Sequence, residues 1–75
     1  MKLDLTYDPE ADDAFVRFSR SAYVESEEVF PGIVLDFDAA GRVIALEVLA
    51  ASKVLAPGDW KNARPPSPAT ADAAE

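Results

Sequence analysis

The sequence predicts a mainly β (or α+β) domain: a small antiparallel β-meander of about five strands, one short C-terminal helical turn and a disordered tail. Three observations predict it. Apolar and polar residues alternate with period two through Lys2–Tyr7 and again through Ala14–Ser19. Two aliphatic runs flank the turn Asp38-Ala39-Ala40-Gly41 inside the stretch Gly32–Ser52, GIVLDFDAAGRVIALEVLAAS. Beyond Leu55, proline, alanine and polar residues take over.

Seventy-five residues make one domain. A chain this size buries only about 60% of its unfolded surface, so it needs a disulfide, a metal or a partner. Cysteine and histidine are both absent. That removes disulfides, the usual zinc ligands and the usual neutral-pH general base, and it leaves self-association. Fourteen acids against seven bases give a net charge of -7. Such a field repels phosphate backbones and acidic lipid surfaces, so neither nucleic acid nor membrane is an expected partner. A homodimer and a basic protein partner are expected instead. The N-terminus, MKLDLTYDPE, shows no basic region leading into a long apolar run, and the expected compartment is the cytoplasm.

The elements follow in order. Leu3, Leu5 and Tyr7 fall on one side of the first strand, and Lys2, Asp4 and Thr6 on the other. Asp8-Pro9-Glu10-Ala11-Asp12-Asp13 is a turn, because Asp8 can hold the backbone ahead of it and Pro9 fixes its own φ. Its acids lack the glycine and the downstream glutamate of a calcium loop. Ala14, Val16 and Phe18 share one side of the second strand; Phe15, Arg17 and Ser19 share the other. Tyr23–Phe30, YVESEEVF, is apolar only at its ends. It is either an edge strand guarded by charge or a short acidic helix. Pro31-Gly32 is either a tight hairpin or a bulged change of direction, since a type II turn mismatches strand twist.

In Asp38–Gly41, a type I turn ending in a left-handed glycine gives a bulged three-residue loop. That register sets Asp38 opposite Arg42, Asp36 opposite Ile44 and Val34 opposite Leu46. On the other side it sets Phe37 opposite Val43, Leu35 opposite Ala45 and Ile33 opposite Glu47. Both faces are then mostly apolar, so one packs inside the subunit and the other meets a helix or a second subunit. Ala50–Leu55 makes a helical turn. The folded domain is expected over 1–56, with 57–75 an acidic Pro/Ala-rich tail. Trp60 is its exception, either folded back on the body or a motif anchor for a partner.

Chemistry has few carriers here. No histidine stands by to activate a serine, and the three glycines are isolated, which rules out a phosphate loop. Ser52 and Lys53 are adjacent, and neighbouring side chains diverge. No catalytic residue, cofactor or enzymatic activity is expected. Asp36, Asp38 and Glu47 are the candidate ligands for a divalent cation or small ligand, the alternative function. The predicted register splits them between faces. Glu47 interrupts VIALEVL and must be solvated or paired, with Arg17 the expected partner if their strands are neighbours. The candidate interface residues are Val34, Ile44, Leu46, Val48, Glu47 and Trp60.

Tyr7-Asp8-Pro9-Glu10-Ala11-Asp12 with Phe15-Val16-Arg17-Phe18, then Glu25-Ser26-Glu27-Glu28-Val29 with Pro31–Asp38, then Gly41-Arg42-Val43 and Leu46–Leu49 with Ala51-Ser52, run in order without gaps. Together they resemble the small, mostly bacterial family called domain of unknown function 2283, from Met1 to about Leu55. Asp13, Ala14, Ala45 and Ala50 depart mildly from its pattern. The resemblance implies a compact β-meander with a short helical piece and brings no established activity, site or cofactor. Similar small proteins have been proposed as antitoxin-like partners of compact toxins.

Overall fold

The computed structural model describes residues 3–66. Their strands are β1 (Asp4–Asp8), β2 (Asp13–Arg17), β3 (Glu25–Phe30), β4 (Ile33–Phe37) and β5 (Val43–Leu49), followed by the helical turn α1 (Ala51–Val54) and a 3-10 turn over Asp59–Asn62. All five strands join one antiparallel sheet in the order β1-β2-β5-β4-β3. The expected class holds. Sequential meander order is kept within β3-β4-β5 and within the β1–β2 hairpin. Between them the chain crosses from the β2 side of the sheet to the far edge, and β5 docks on β2.

Acids hold the turns. Asp8 Oδ1 accepts the amides of Glu10 (3.0 Å) and Ala11 (3.4 Å), which fixes the β1–β2 turn. Glu28 Oε2 accepts the Gly32 amide at 3.0 Å. Asp38 Oδ1 accepts the amides of Ala40 and Arg42, both at 2.9 Å, and the Asp38 carbonyl accepts the Gly41 amide at 3.0 Å. Gly41, with φ +79°, sits where the sequence requires a left-handed residue. At Pro31-Gly32 both anticipated features occur together. Phe30 pairs with Ile33 across a two-residue hairpin, and a bulge at Glu28–Phe30 absorbs the twist.

The predicted β4–β5 register holds only at the loop. Phe37 stands opposite Val43 as expected, but Asp36 stands opposite Ala45, and the pairs continue as Leu35–Leu46, Val34–Glu47 and Ile33–Val48. The one-residue irregularity at Asp36–Phe37 accounts for the change. Its physical effect is segregation. With the bulge, Ile33 and Leu35 share a face with Leu46 and Val48, whereas Asp36 and Glu47 move together to the other face. Without it, Glu47 would lie beside Ile33 on the aliphatic side.

One face is therefore apolar. Leu5, Val16, Leu46 and Leu35 align across four strands, and Tyr7, Ala14, Val48, Ile33 and Phe30 across all five. The core is at one end of this face, where Tyr7, Ala14, Val48 and Ala51 pack with Leu46, Val54, Leu55, Trp60 and Ala63. Trp60 meets Tyr7 edge to face, with ring centroids 5.0 Å apart, and its indole N–H donates to the Ala56 carbonyl at 2.7 Å. Of the two roles left open for Trp60, the fold-back is the one observed. The folded body thus extends past residue 56. The Tyr7 amide donates to the Arg64 carbonyl at 3.0 Å, Thr6 and Arg64 form a parallel bridge, and Arg64 pairs with Asp4. The rest of the anticipated tail, 67–75, lies outside the described residues.

YVESEEVF resolves as the edge strand rather than the helix, and all six β3 residues are exposed. No helix among the described residues is long and apolar enough to cross a membrane.

Candidate functional site

Two surfaces and one side-chain knot concentrate whatever chemistry the sheet offers. The first surface is the apolar face. α1 and the 3-10 turn, four residues each, touch β5 and β1 and cover only the Tyr7–Ala14–Val48 end. The middle row, Leu5, Val16, Leu46 and Leu35, is half-buried, and Phe18 at the end of its strand is 49% exposed. Among the described residues no large side chain reaches complete burial. Among the described residues so little covers this apolar sheet that its core is left open on one side.

The second surface carries the carboxylates. Asp13, Glu47 and Asp36 lie on neighbouring strands of the opposite face, around Phe15 and Val34, which flank Glu47 directly. Burial first, then the adjoining Asp13 carboxyl and the Asp13 and Asp36 charges, push the Glu47 carboxyl up to about 7. Asp13 is raised too, chiefly by burial. Its Oδ1 is buried and receives no N–H or hydroxyl among the described residues. The Glu47 carboxyl adjoins Asp13 and, while it holds its proton, can donate to it. The two acids are therefore neighbours whose carboxyls are both raised and can share one proton.

The expected Arg17–Glu47 ion pair does not form. β2 and β5 are neighbours and the two residues share a face, as required. The Arg17 guanidinium instead lies over the Phe15 ring, 5.4 Å from its centroid, and Nη1 donates to the Ser19 carbonyl at 3.5 Å. Stacking on the strand neighbour two residues away draws the guanidinium along β2 and off β5.

Asp36, Asp38 and Glu47 are not brought together as a triad. The bulge puts Asp36 on the same face as Glu47, contrary to the expected split. Asp38 stays at the loop, 8% exposed, held by two backbone amides and the Arg42 side chain at 3.2 Å. The Arg42 amide first, with the Ala40 amide and the Arg42 charge, holds its carboxyl below the usual range. Among the described residues no three acids are placed to share a metal ion.

The six candidate interface residues fall on both sides of the sheet. Val34 and Glu47 lie on the carboxylate face, because the bulge moves Val34 from Leu46 to Glu47. Ile44, Leu46 and Val48 lie on the apolar face. Ile44 (2% exposed) and Val48 (5% exposed) are already buried within the subunit, and Trp60 is stacked on Tyr7. Leu46 is the member that remains half-buried in the open middle row.

The knot is the part the sequence did not announce. Asp12, at φ +56°, accepts the Tyr7 hydroxyl at 2.6 Å, the Ser52 hydroxyl at 2.6 Å and the Ser52 amide at 3.1 Å, and its carbonyl accepts the Ala51 amide at 2.8 Å. The Ser52 hydroxyl first, then the Tyr7 hydroxyl, keep its carboxyl low, and that bond raises Tyr7. Forty residues separate Asp12 from Ser52, so only the β2–β5 pairing reveals their meeting. Its role is to tie the first hairpin to the start of α1, whose own preceding residue, Ala50, offers no side-chain cap.

The family model described as "Protein of unknown function (DUF2283)" matches residues 4–52. The chain belongs to that family. No curated protein and no solved structure matches it.

Proposed function

We propose that the domain is a non-enzymatic interaction module that self-associates through its apolar face. The observation that carries this reading is the pair of apolar rows crossing the sheet, capped among the described residues by two four-residue turns. A second copy is the occupant that fits. An aliphatic row presented to itself across a two-fold axis is self-complementary, and two such sheets pack about 10 Å apart as a sandwich. Charge supports the same choice. With a net charge of -7, two chains repel unless their acids stay at the rim. Here the acids occupy the opposite face, the turns and β3, leaving the middle of the apolar face uncharged.

The same charge balance makes a basic protein the complementary hetero-partner. A cysteine-free chain suits a reducing compartment, and the cytoplasm is the one we propose.

Light scattering over a concentration series tests the self-association. The expected mass is twice the 8.1 kDa of the chain. Leu35→Glu, in the middle of the apolar row, returns the mass to one chain, with circular dichroism reporting the retained sheet. Phe18→Ser is the gentler variant, because Phe18 is already half-exposed. A mass of one chain at the highest soluble concentration overturns the reading.

A further inference from the structure

The sheet has two edges, and the chain treats them differently. Along β1 it lays its own extended segment. Arg64 bridges Thr6, takes the Tyr7 amide on its carbonyl and sets its guanidinium against Asp4. This is a single basic residue bridged to an acid-bearing edge strand, joined by backbone and by charge together. Among the described residues no such segment lies along β3. There β3 pairs only with β4, and its outer row of N–H and C=O groups is open.

The side chains of that edge have a definite character. Glu25, Glu27 and Glu28 are exposed, and the ion pairs among the described residues involve none of them. Val29 and Phe30 are 50% and 61% exposed. With Glu28 and Pro31 they line an open depression of about 380 Å³ at the end of the strand. Glutamates and a bulge blunt an edge against pairing with itself, since a second β3 brings the same charges face to face. They do not blunt it against a strand of the opposite sign.

We propose that the β3 edge docks an extended basic segment of a partner protein by strand addition. The partner's backbone completes the outer hydrogen-bond row, lysines or arginines at alternate positions meet the glutamates, and an apolar side chain enters the depression beside Phe30. Six residues of edge span about 20 Å, which sets the partner segment at about six residues. This assignment deepens the interaction-module reading by locating the basic partner. It is separable from the self-association, because strand addition uses the outer backbone of β3, whereas the self-association uses the middle of the apolar face that Phe30 and Glu27 border.

The test uses the full chain and a synthetic probe, a six-residue peptide alternating lysine and valine and ending in phenylalanine. Three companions accompany it: the same peptide with glutamate for lysine, the lysine peptide N-methylated at alternate residues, and the double variant Glu25→Lys, Glu27→Lys. Binding is followed by amide chemical shifts. The expected result is perturbation confined to β3 and β4, abolished by N-methylation and weakened by salt. The double variant should bind the lysine peptide about tenfold more weakly and the glutamate peptide more tightly than the natural chain does. Binding indifferent to N-methylation reduces the effect to charge alone and overturns strand addition. Shifts centred on Asp13, Asp36 and Glu47, or no shifts at millimolar peptide, overturn the location. A monomeric mass by light scattering leaves this proposal standing, so the two readings fail separately.

Discussion

Glu47→Gln should flatten the pH dependence of stability on the alkaline side. In the folded chain the Glu47 carboxyl keeps its proton to about pH 7, against an ordinary value of 4.5. Between those values the folded state holds a proton that the unfolded state has lost. Stability therefore falls as pH rises through the window and is greatest at its lower end. At full expression the shift corresponds to about 3 kcal/mol. Glu47 keeps partial solvent contact, so screening reduces this to about 1–2 kcal/mol. For a domain of this length that is a melting shift of about 5–15 °C.

Glutamine places an N–H donor beside Asp13 and removes the titration. The variant should match the natural chain at about pH 5 and melt higher at about pH 8. Thermal melts at fixed protein concentration read both points. An equal difference at the two pH values would show that Glu47 titrates as a solvated carboxyl, and the pairing argument would fail. On the acid side the order reverses. Asp12 and Asp38 have lowered values, so the stability they contribute is present above the ordinary aspartate range and is lost as pH falls through their folded values.

The remaining predictions concern backbone and packing, all read by thermal or denaturant unfolding. Gly32→Ala places a Cβ 2.8 Å from Val54 Cγ2 and 3.1 Å from the Leu49 carbonyl at φ +86°, and should cost about 2–3 kcal/mol. Gly41→Ala meets nothing within 4 Å at φ +79° and should cost only about 1 kcal/mol; equal losses at the two glycines would contradict the crowding at Gly32. Ala50 sits at φ +52° with no side-chain cap, and Ala50→Gly should stabilise the domain by about 0.5–1 kcal/mol. Trp60→Ala removes the edge-to-face contact with Tyr7 and should cost about 2 kcal/mol, whereas an unchanged midpoint would place residues 57–64 outside the cooperative unit.

Much of the local structure was legible because its causes are local. Asp8, Gly41 and the acid–Arg42 loop follow from turn chemistry within five residues. The period-two alternation of Leu3–Tyr7 and Ala14–Phe18 grouped Leu5 with Tyr7 and Ala14 with Val16, and the sheet puts all four on its apolar face. The candidate site was less legible. Asp13 went unnoticed as the neighbour of Glu47, because the two are diagonal across β2 and β5 and adjoining acids run against pairing by opposite charge. The one available signal was that each interrupts or borders an apolar run. Arg17 was assigned to Glu47 on proximity alone, and the ring of Phe15, two residues away on its own strand, proved the nearer attraction.

The class, the strands of the first and last hairpins and the Asp38–Gly41 loop were readable from the chain alone, since period and turn residues act over a few positions, while Tyr23–Phe30 and Pro31-Gly32 each admit two readings. Only the tertiary structure decided that β5 enters between β2 and β4, that a bulge at Asp36–Phe37 reverses the sides of Val34 and Glu47, and that Trp60 and Arg64 close over β1. The reason is parity. A one-residue slip exchanges every side chain between the two faces of a strand, and the slip is chosen by aliphatic burial summed over the whole sheet. No window of sequence contains that sum.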